Sequence, residues 1–221
     1  MTARTLVWKM MLLCLLAVPV AAIDIVSWNV ESGGSDPRVI ADRLAGFRGA
    51  AIVVLQEVDD DAMPLYRRAL GPGFTAYMSE SGSRFDDRLA MFIDEAVLDV
   101  IRVWELHEWN GAVINRSPRR GGIRSPQIAQ LRFASEHTRA DAGTGAAQDE
   151  GFYLINVHMP RSDPDQRILH TLVLRDWIAS REQPVVAIGD FNFDYNFGSG
   201  SARSGNYAYQ AFVWDSLVQP V

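Results

Sequence analysis

Short apolar runs alternate with amphipathic stretches along the chain, and the two periods assign most of its elements. Ile23 to Trp28 is a β-rich run that ends at Asn29-Val30, followed by a polar Gly turn over Glu31 to Ser35. Asp36 is placed to cap a helix with Pro37 at its first position. Val39, Ile40, Leu44 and Phe47 then recur at helical spacing. Ala50 to Leu55 is continuously apolar, which predicts a strand covered on both faces. Asp59 to Leu70 predicts a second helix, with Pro64 tolerated in its first turn. Phe74 to Met78, Leu89 to Ile93 and Val97 to Trp104 predict strands. Asn115 to Ser125 is a Gly/Arg/Pro loop, and Gln127 to Phe133 alternates as a strand does. Ser135 to Glu150 is polar and predicts a long hairpin loop. Phe152 to Val157 predicts a strand ending at His158. Asp163 to Ser180 predicts an amphipathic helix presenting Ile168, Leu169, Leu172, Leu174, Trp177 and Ile178. Pro184 to Ile188 predicts a buried strand ending at Gly189-Asp190. A polar Gly/Ser loop runs from Phe193 to Asn206, and Tyr207 to Trp214 predicts a short helix.

Strands and helices alternate, with several consecutive strands in the middle, and no stretch resembles a linker or a repeat. This is neither a plain Rossmann pattern nor an all-β one. Two mixed sheets packed together, with helices outside, satisfy it. The 221 residues are 48% hydrophobic and 22% charged, ordinary globular values that exclude disorder, collagen and a polytopic membrane protein.

The first residues change the picture of where the chain works. Arg4 and Lys9 precede an apolar run from Met10 to Val18, then Pro19 and Val20-Ala21-Ala22. A basic start, a short apolar core and small residues at a cut site predict a signal peptide over residues 1–22, cleaved near Ala22. The run is too short to span a bilayer comfortably, and an uncleaved anchor is the lesser alternative. Cys14, the one Cys, lies in this segment, so the remaining domain, residues 23–221, would hold no disulfide and no thiol nucleophile. A secreted or periplasmic bacterial protein is expected, monomeric and with no stable membrane insertion after cleavage. The net charge is −6, and removing Arg4 and Lys9 from the 21 basic residues leaves 19 against 27 acidic, a net of −8. Bulk charge therefore does not advertise a nucleic-acid coat, although a locally basic cleft is compatible with it. Lys9 is the one Lys, so every later basic residue is Arg.

Candidate chemistry sits just past the ends of the apolar runs. Asn29, Glu57 (in LQE), His158 (in NVHMP) and Asp190 with Asn192 (in GDFN) each follow a predicted strand. A rigid sheet can aim such groups into one cleft. Each alone reads as well as a turn former, a helix cap, a structural histidine or an Asx turn. All of them in order are much harder to produce without a shared site.

With these residues in view, the sequence resembles the endonuclease/exonuclease/phosphatase superfamily, the group of deoxyribonuclease I. The matching stretches are Asp24 to Val30, Val54 to Val58, Ile155 to Pro160 and Val186 to Asn192, with Arg124-Ser-Pro126 where the family places an Arg before a Pro-containing strand start. The resemblance implies a four-layer αββα sandwich of two mixed β-sheets with outer helices, and metal-dependent hydrolysis of phosphate esters. Mg²⁺ is the implied cofactor, with Mn²⁺ as a substitute. By the same resemblance Glu57 is the principal metal ligand and Asn29 supports metal and phosphate. Asp190 orients or deprotonates the attacking water, and Asn192 and His158 hydrogen-bond phosphoryl oxygens. Arg124 would add a fixed charge for phosphate binding, or else is a solvated loop Arg. Arg116, Arg119 and Arg120 are read as solvated rather than as substrate contacts. The substrate stays open between nucleic acid, a lipid headgroup and an inositol phosphate or another small phosphodiester.

The resemblance also implies a closing Ser-Asp-His motif. None occurs between Phe193 and Val221, and no His follows His170. The expectation is a domain lacking its last strands, with unpaired sheet edges. The alternative to an active enzyme is then an impaired relative that binds metal or phosphate without turnover.

Overall fold

Two four-stranded sheets stacked face to face carry the predicted strands in a computed structural model that describes residues 23–31, 34–82, 87–115, 123–134, 151–193 and 207–213. The expected signal segment, Arg116, Arg119, Arg120, the 135–150 loop and most of the 193–206 loop lie outside these residues. The first sheet holds β1 (Ile25–Asn29), β2 (Ile52–Val58), β3 (Phe74–Gly82) and β4 (Arg88–Asp94), in the order β1-β2-β4-β3. The second holds β5 (Leu98–Glu105), β8 (Gln127–Phe133), β9 (Phe152–His158) and β10 (Val185–Asp190), in the order β10-β9-β8-β5. A small hairpin, β6 (Glu108–Trp109) with β7 (Ala112–Val113), lies between them in sequence. Each sheet contains one parallel pair, β1 with β2 and β9 with β10, and its other pairs are antiparallel. The sheets are therefore mixed, as expected.

The outer layers are helical. Helix α1 (Pro37–Leu44) is capped by Asp36, whose carboxylate accepts the Arg38 N–H, with Pro37 at its start. Helix α2 (Met63–Leu70) follows a 3₁₀ turn at Asp60–Ala62, so the predicted second helix splits in two. Both helices bury Leu44, Tyr66 and Leu70 against the first sheet. Val39 departs from the expected face and is 51% exposed. Helix α3 (Pro164–Ala179), capped by Asp163, and the short α4 (Tyr207–Val213) cover the second sheet.

A shared core fills the space between the sheets. Ile52, Val54, Met91 and Ile93 meet Leu131 and Leu154 there, all fully buried. Each such side chain contributes roughly 1.5–3 kcal/mol by leaving water. A buried polar link crosses this core. Gln56 Nε2 donates to Asn156 Oδ1 at 2.8 Å, and Asn156 Nδ2 donates to the carbonyls of Leu55 and Ala90. The link pins the ends of β2 and β9 together, which is where Glu57 and His158 project.

Two expectations about burial need correction. The run from Pro184 to Ile188 is not buried: Pro184 is exposed, and Val185 to Ile188, which belong to β10, are half-buried, because among the described residues β10 pairs with β9 alone and lies at the sheet edge. Helix α3 buries Arg167, His170, Thr171, Val173, Leu174 and Trp177, while Ile168, Leu169, Leu172 and Ile178 are half-buried. Its inward face is rotated toward polar residues that hydropathy assigns to solvent.

Candidate functional site

Four strand ends converge at one edge of the sandwich. Asn29 is the last residue of β1, Glu57 lies near the end of β2, His158 ends β9 and Asp190 ends β10. Parallel pairing sets Asn29 opposite Gln56 and Asp190 opposite His158. The backbone is bent to aim two of these groups. Glu57 has φ +59° beside a register shift between Leu55 and Val58, and Asn192 has φ +49°. Non-glycine residues with positive φ are uncommon and cluster at functional sites. Gly189, before Asp190, has φ +131°, and a Cβ there would lie 2.2 Å from the Val157 carbonyl oxygen. Only glycine lets β10 approach β9 closely enough to deliver Asp190.

The side chains join into one network. Asn29 Nδ2 donates to Glu57 Oε1 at 3.1 Å and to Asp190 Oδ2 at 3.0 Å. Its Oδ1 accepts the Glu31 N–H. The amide nitrogen, not the oxygen, thus faces the two carboxylates. In this arrangement Asn29 spaces Glu57 and Asp190 rather than offering an oxygen to an ion. His158 Nε2 lies 3.5 Å from Glu57 Oε1 and 3.8 Å from Asp190 Oδ2. Asp190 Oδ1 accepts the Asn192 N–H, and Asn192 Nδ2 donates to the Met159 carbonyl. So Asn29, Glu57, His158, Asp190 and Asn192, the five strand-end residues singled out in the sequence, lie in one cluster.

Burial pulls the His158 pKa down to about 4, helped by the nearby Arg124 charge and opposed by Asp190 and Asp87. Desolvation wins, so His158 is neutral at pH 7 and its approaches to the carboxylates are not ion pairs. With its proton on Nε2, the ring donates toward Glu57 and leaves Nδ1 as a buried acceptor without a partner.

Arg124 belongs to the same neighbourhood but is not a free cation. Its Nη2 lies 2.6 Å from Asp87 Oδ2 and its Nε donates to the Asp87 carbonyl, with both side chains 12% exposed. Asp87 was not singled out in the sequence, because nothing in its local pattern reveals a partner 37 residues away. Arg124 and His158 line a cavity of about 210 Å³ with Ile123, Pro160, Ser162, Asp163 and Gln166.

The donor set accommodates a hard cation. Two carboxylates share one amide donor beside a neutral histidine, and among the described residues no Arg or Lys forms an ion pair with either of them. Mg²⁺ is held by one or two carboxylates and keeps several waters, so it does not need a closed cage. Among the described residues no group of three His, Cys, Asp or Glu side chains could enclose an ion. The part-exposed Glu57 and Asp190 match the open arrangement instead.

The sequence profile of the Endonuclease/Exonuclease/phosphatase family matches residues 26–214. The chain belongs to this family. Members are hydrolases of phosphate esters and are generally divalent-metal dependent. No curated protein matches the sequence. Among solved structures, the fold is similar to an endonuclease/exonuclease/phosphatase family protein from Bacteroides thetaiotaomicron, with TM-score 0.59 and 17% identity, over 86% of this chain and 68% of the other. It is similar to mannosyl-6-phosphatase Bt3783 of Bacteroides thetaiotaomicron VPI-5482, with TM-score 0.59 and 17% identity, over 88% and 71%. It is similar also to D. rerio TDP2 complexed with single strand DNA product, with TM-score 0.56 and 17% identity, over 77% and 61%. At these identities the similarity speaks for the fold: the family's sandwich of two mixed sheets between helices.

Proposed function

We propose that this family member is an exported phosphoesterase that uses Mg²⁺, or Mn²⁺ in its place, and that it acts on phosphodiesters. One observation carries the reading: the Asn29 amide bridges Glu57 and Asp190, which arrive from different sheets. Folding alone does not call for two carboxylates and a neutral histidine gathered where two sheets end.

Glu57 would hold the ion, with Asp190 beside it and Asn29 fixing their spacing. A bound divalent cation neutralises phosphoryl charge and makes water a better nucleophile at neutral pH. Asp190 accepts the proton of the attacking water, held in orientation by Asn29 and the Asn192 N–H. Water oxygen bonds to phosphorus as the ester P–O bond breaks, the departing oxygen takes a proton from solvent water, and Asp190 returns the proton it accepted to solvent. His158 Nε2–H and the Asn192 side chain would hydrogen-bond phosphoryl oxygens as charge builds. Arg124, held by Asp87, contributes a fixed positive charge behind His158.

The acidic chain argues against tight duplex binding, which draws on many basic phosphate contacts. A small phosphodiester or single-stranded nucleic acid fits better. Export rests on the residue pattern of 1–22, with residues 23–221 as the working domain. Among the described residues no helix is long and apolar enough to cross a membrane.

The pairing of Arg124 with Asp87 favours one second reading, a relative that binds metal or phosphate without turnover, because that cation is already engaged. A thermal melt with and without Mg²⁺, run beside a phosphodiester assay, separates the two. Stabilisation that disappears in Glu57→Ala, together with hydrolysis, supports the enzyme. Stabilisation without hydrolysis supports the binder. No Mg²⁺ effect in a folded sample contradicts the enzyme and the metal binder, and a melt with inorganic phosphate then decides on the phosphate binder.

A further inference from the structure

Arg167 has no place in the chemistry above, yet it is 1% exposed, an unusual state for an arginine. It sits in the first turn of α3, and its Nη1 donates to the carbonyls of Pro160 at 2.7 Å and Arg161 at 2.8 Å. Those carbonyls belong to the turn that leaves His158. The other side of that turn is tied to the end of β10. The Met159 N–H donates to the Asp190 carbonyl at 2.9 Å, and the Met159 carbonyl accepts from Asn192 Nδ2 at 2.8 Å. Thr171, one turn further along α3, approaches the Met159 sulfur through its hydroxyl at 3.7 Å. Residues 158–161 are thus gripped on one face by α3 and on the other by Asp190 and Asn192. Asn192 in turn holds a left-handed backbone, φ +49°, that its side-chain bond to Met159 helps fix.

We infer that Arg167 is a positioning residue: its buried guanidinium sets the 159–161 turn so that Met159 can hold Asp190 and Asn192 in register with His158. The inference rests on the phosphoesterase reading for its effect on rate, but the geometry it describes is independent of that reading. A planar guanidinium presents fixed N–H directions to two carbonyls, whereas an ammonium on a flexible stem does not reproduce them. Loss of the guanidinium removes the donor from the Pro160 and Arg161 carbonyls and lets the turn shift. Sub-ångström changes in such a shell reach the reacting groups directly.

The test compares wild type, Arg167→Lys and Arg167→Met at a temperature where melts show all three folded. NMR of the Asn192 side-chain amide and hydrogen exchange of the Met159 N–H report the clamp without any substrate. In both variants the Asn192 amide resonances move and Met159 exchanges at least tenfold faster, with Arg167→Lys the milder. With Mg²⁺ and a phosphodiester, kcat falls at least tenfold in Arg167→Met while KM and the Mg²⁺ midpoint stay within about twofold, and Arg167→Lys recovers part of kcat. A merely structural Arg167 would lower the melting temperature and leave the Asn192 resonances, Met159 exchange and kcat of the folded protein unchanged, and that result overturns the inference. If wild type hydrolyses no phosphoester, the functional reading fails, and the resonance and exchange data still decide whether Arg167 holds the turn.

Discussion

Strands β2 and β10 each carry a carboxylate of the cluster at or next to their last residue, yet they hold it by different means. From Ile52 to Leu55 every β2 side chain is fully buried, and the strand is flanked by β1 and β4. Every residue of β10 is half-buried, and its described neighbour is β9 alone. Glu57 is therefore fixed by the core beneath it. Asp190 is fixed by bonds around it: Asn29 on one oxygen, the Asn192 N–H on the other, and the Met159 N–H on its carbonyl. The contrast shows that a side chain at a strand end can be held by packing or by hydrogen bonding. The second way places weight on residues such as Met159 and Arg167, which hold the strand ends from behind and are not among the five clustered side chains.

The largest expected effects come from the two carboxylates. Asp190→Asn removes the proton acceptor and keeps the shape, so turnover should fall on the order of 10²–10⁴-fold with the Mg²⁺ midpoint little changed. Glu57→Gln should instead raise the Mg²⁺ concentration needed for half-maximal rate by tenfold or more. Steady-state rates against Mg²⁺ for both variants check this, and identical profiles would break the division of roles.

Packing gives the next contrast. Leu55→Ala in β2 should cost roughly 2–5 kcal/mol in urea unfolding, as for a fully buried leucine. Ile188→Ala in β10 should cost about half as much or less, since its side chain is only half-buried. Equal losses would mean that β10 is as firmly packed as β2.

Acid and alkali should sharpen the same division by smaller steps. His170, buried in α3 over the second sheet, has its pKa lowered to about 4 by burial. The unfolded chain therefore binds the extra proton between about pH 6.5 and pH 4. The stability from keeping His170 neutral is fully present above pH 6.5 and is lost as pH falls toward 4. Under the first sheet Tyr66 is raised to about 12, by burial first and then by Asp59 and Asp36. Its contribution is present below pH 10 and is lost as pH rises toward 12. Melting temperature should fall from pH 7 to pH 4, and His170→Gln should flatten that slope while leaving the alkaline limb alone.

Much of this was legible in the sequence. The strand ends, the Asp36 cap and the order Asn29, Glu57, His158, Asp190 and Asn192 follow from apolar runs broken by polar residues, a signal that survives without contacts. What escaped was of two kinds. Hydropathy does not distinguish a central strand from an edge strand, so Val185 to Ile188 read as fully covered when it is not. Polar groups whose partners lie far along the chain are also invisible, as Gln56 with Asn156 and Asp87 with Arg124, and so is a side chain that bonds backbone carbonyls, as Arg167 does at Pro160 and Arg161. Each of those bonds organises the site, and none has a local pattern.

The most direct test of the central claim is hydrolysis of a simple phosphodiester, bis-p-nitrophenyl phosphate, measured against Mg²⁺ concentration for wild type and Glu57→Gln. A saturable Mg²⁺-dependent rate that Glu57→Gln loses at the wild-type optimum is the predicted result. A rate that ignores Mg²⁺, or one that Glu57→Gln leaves unchanged, would contradict the account.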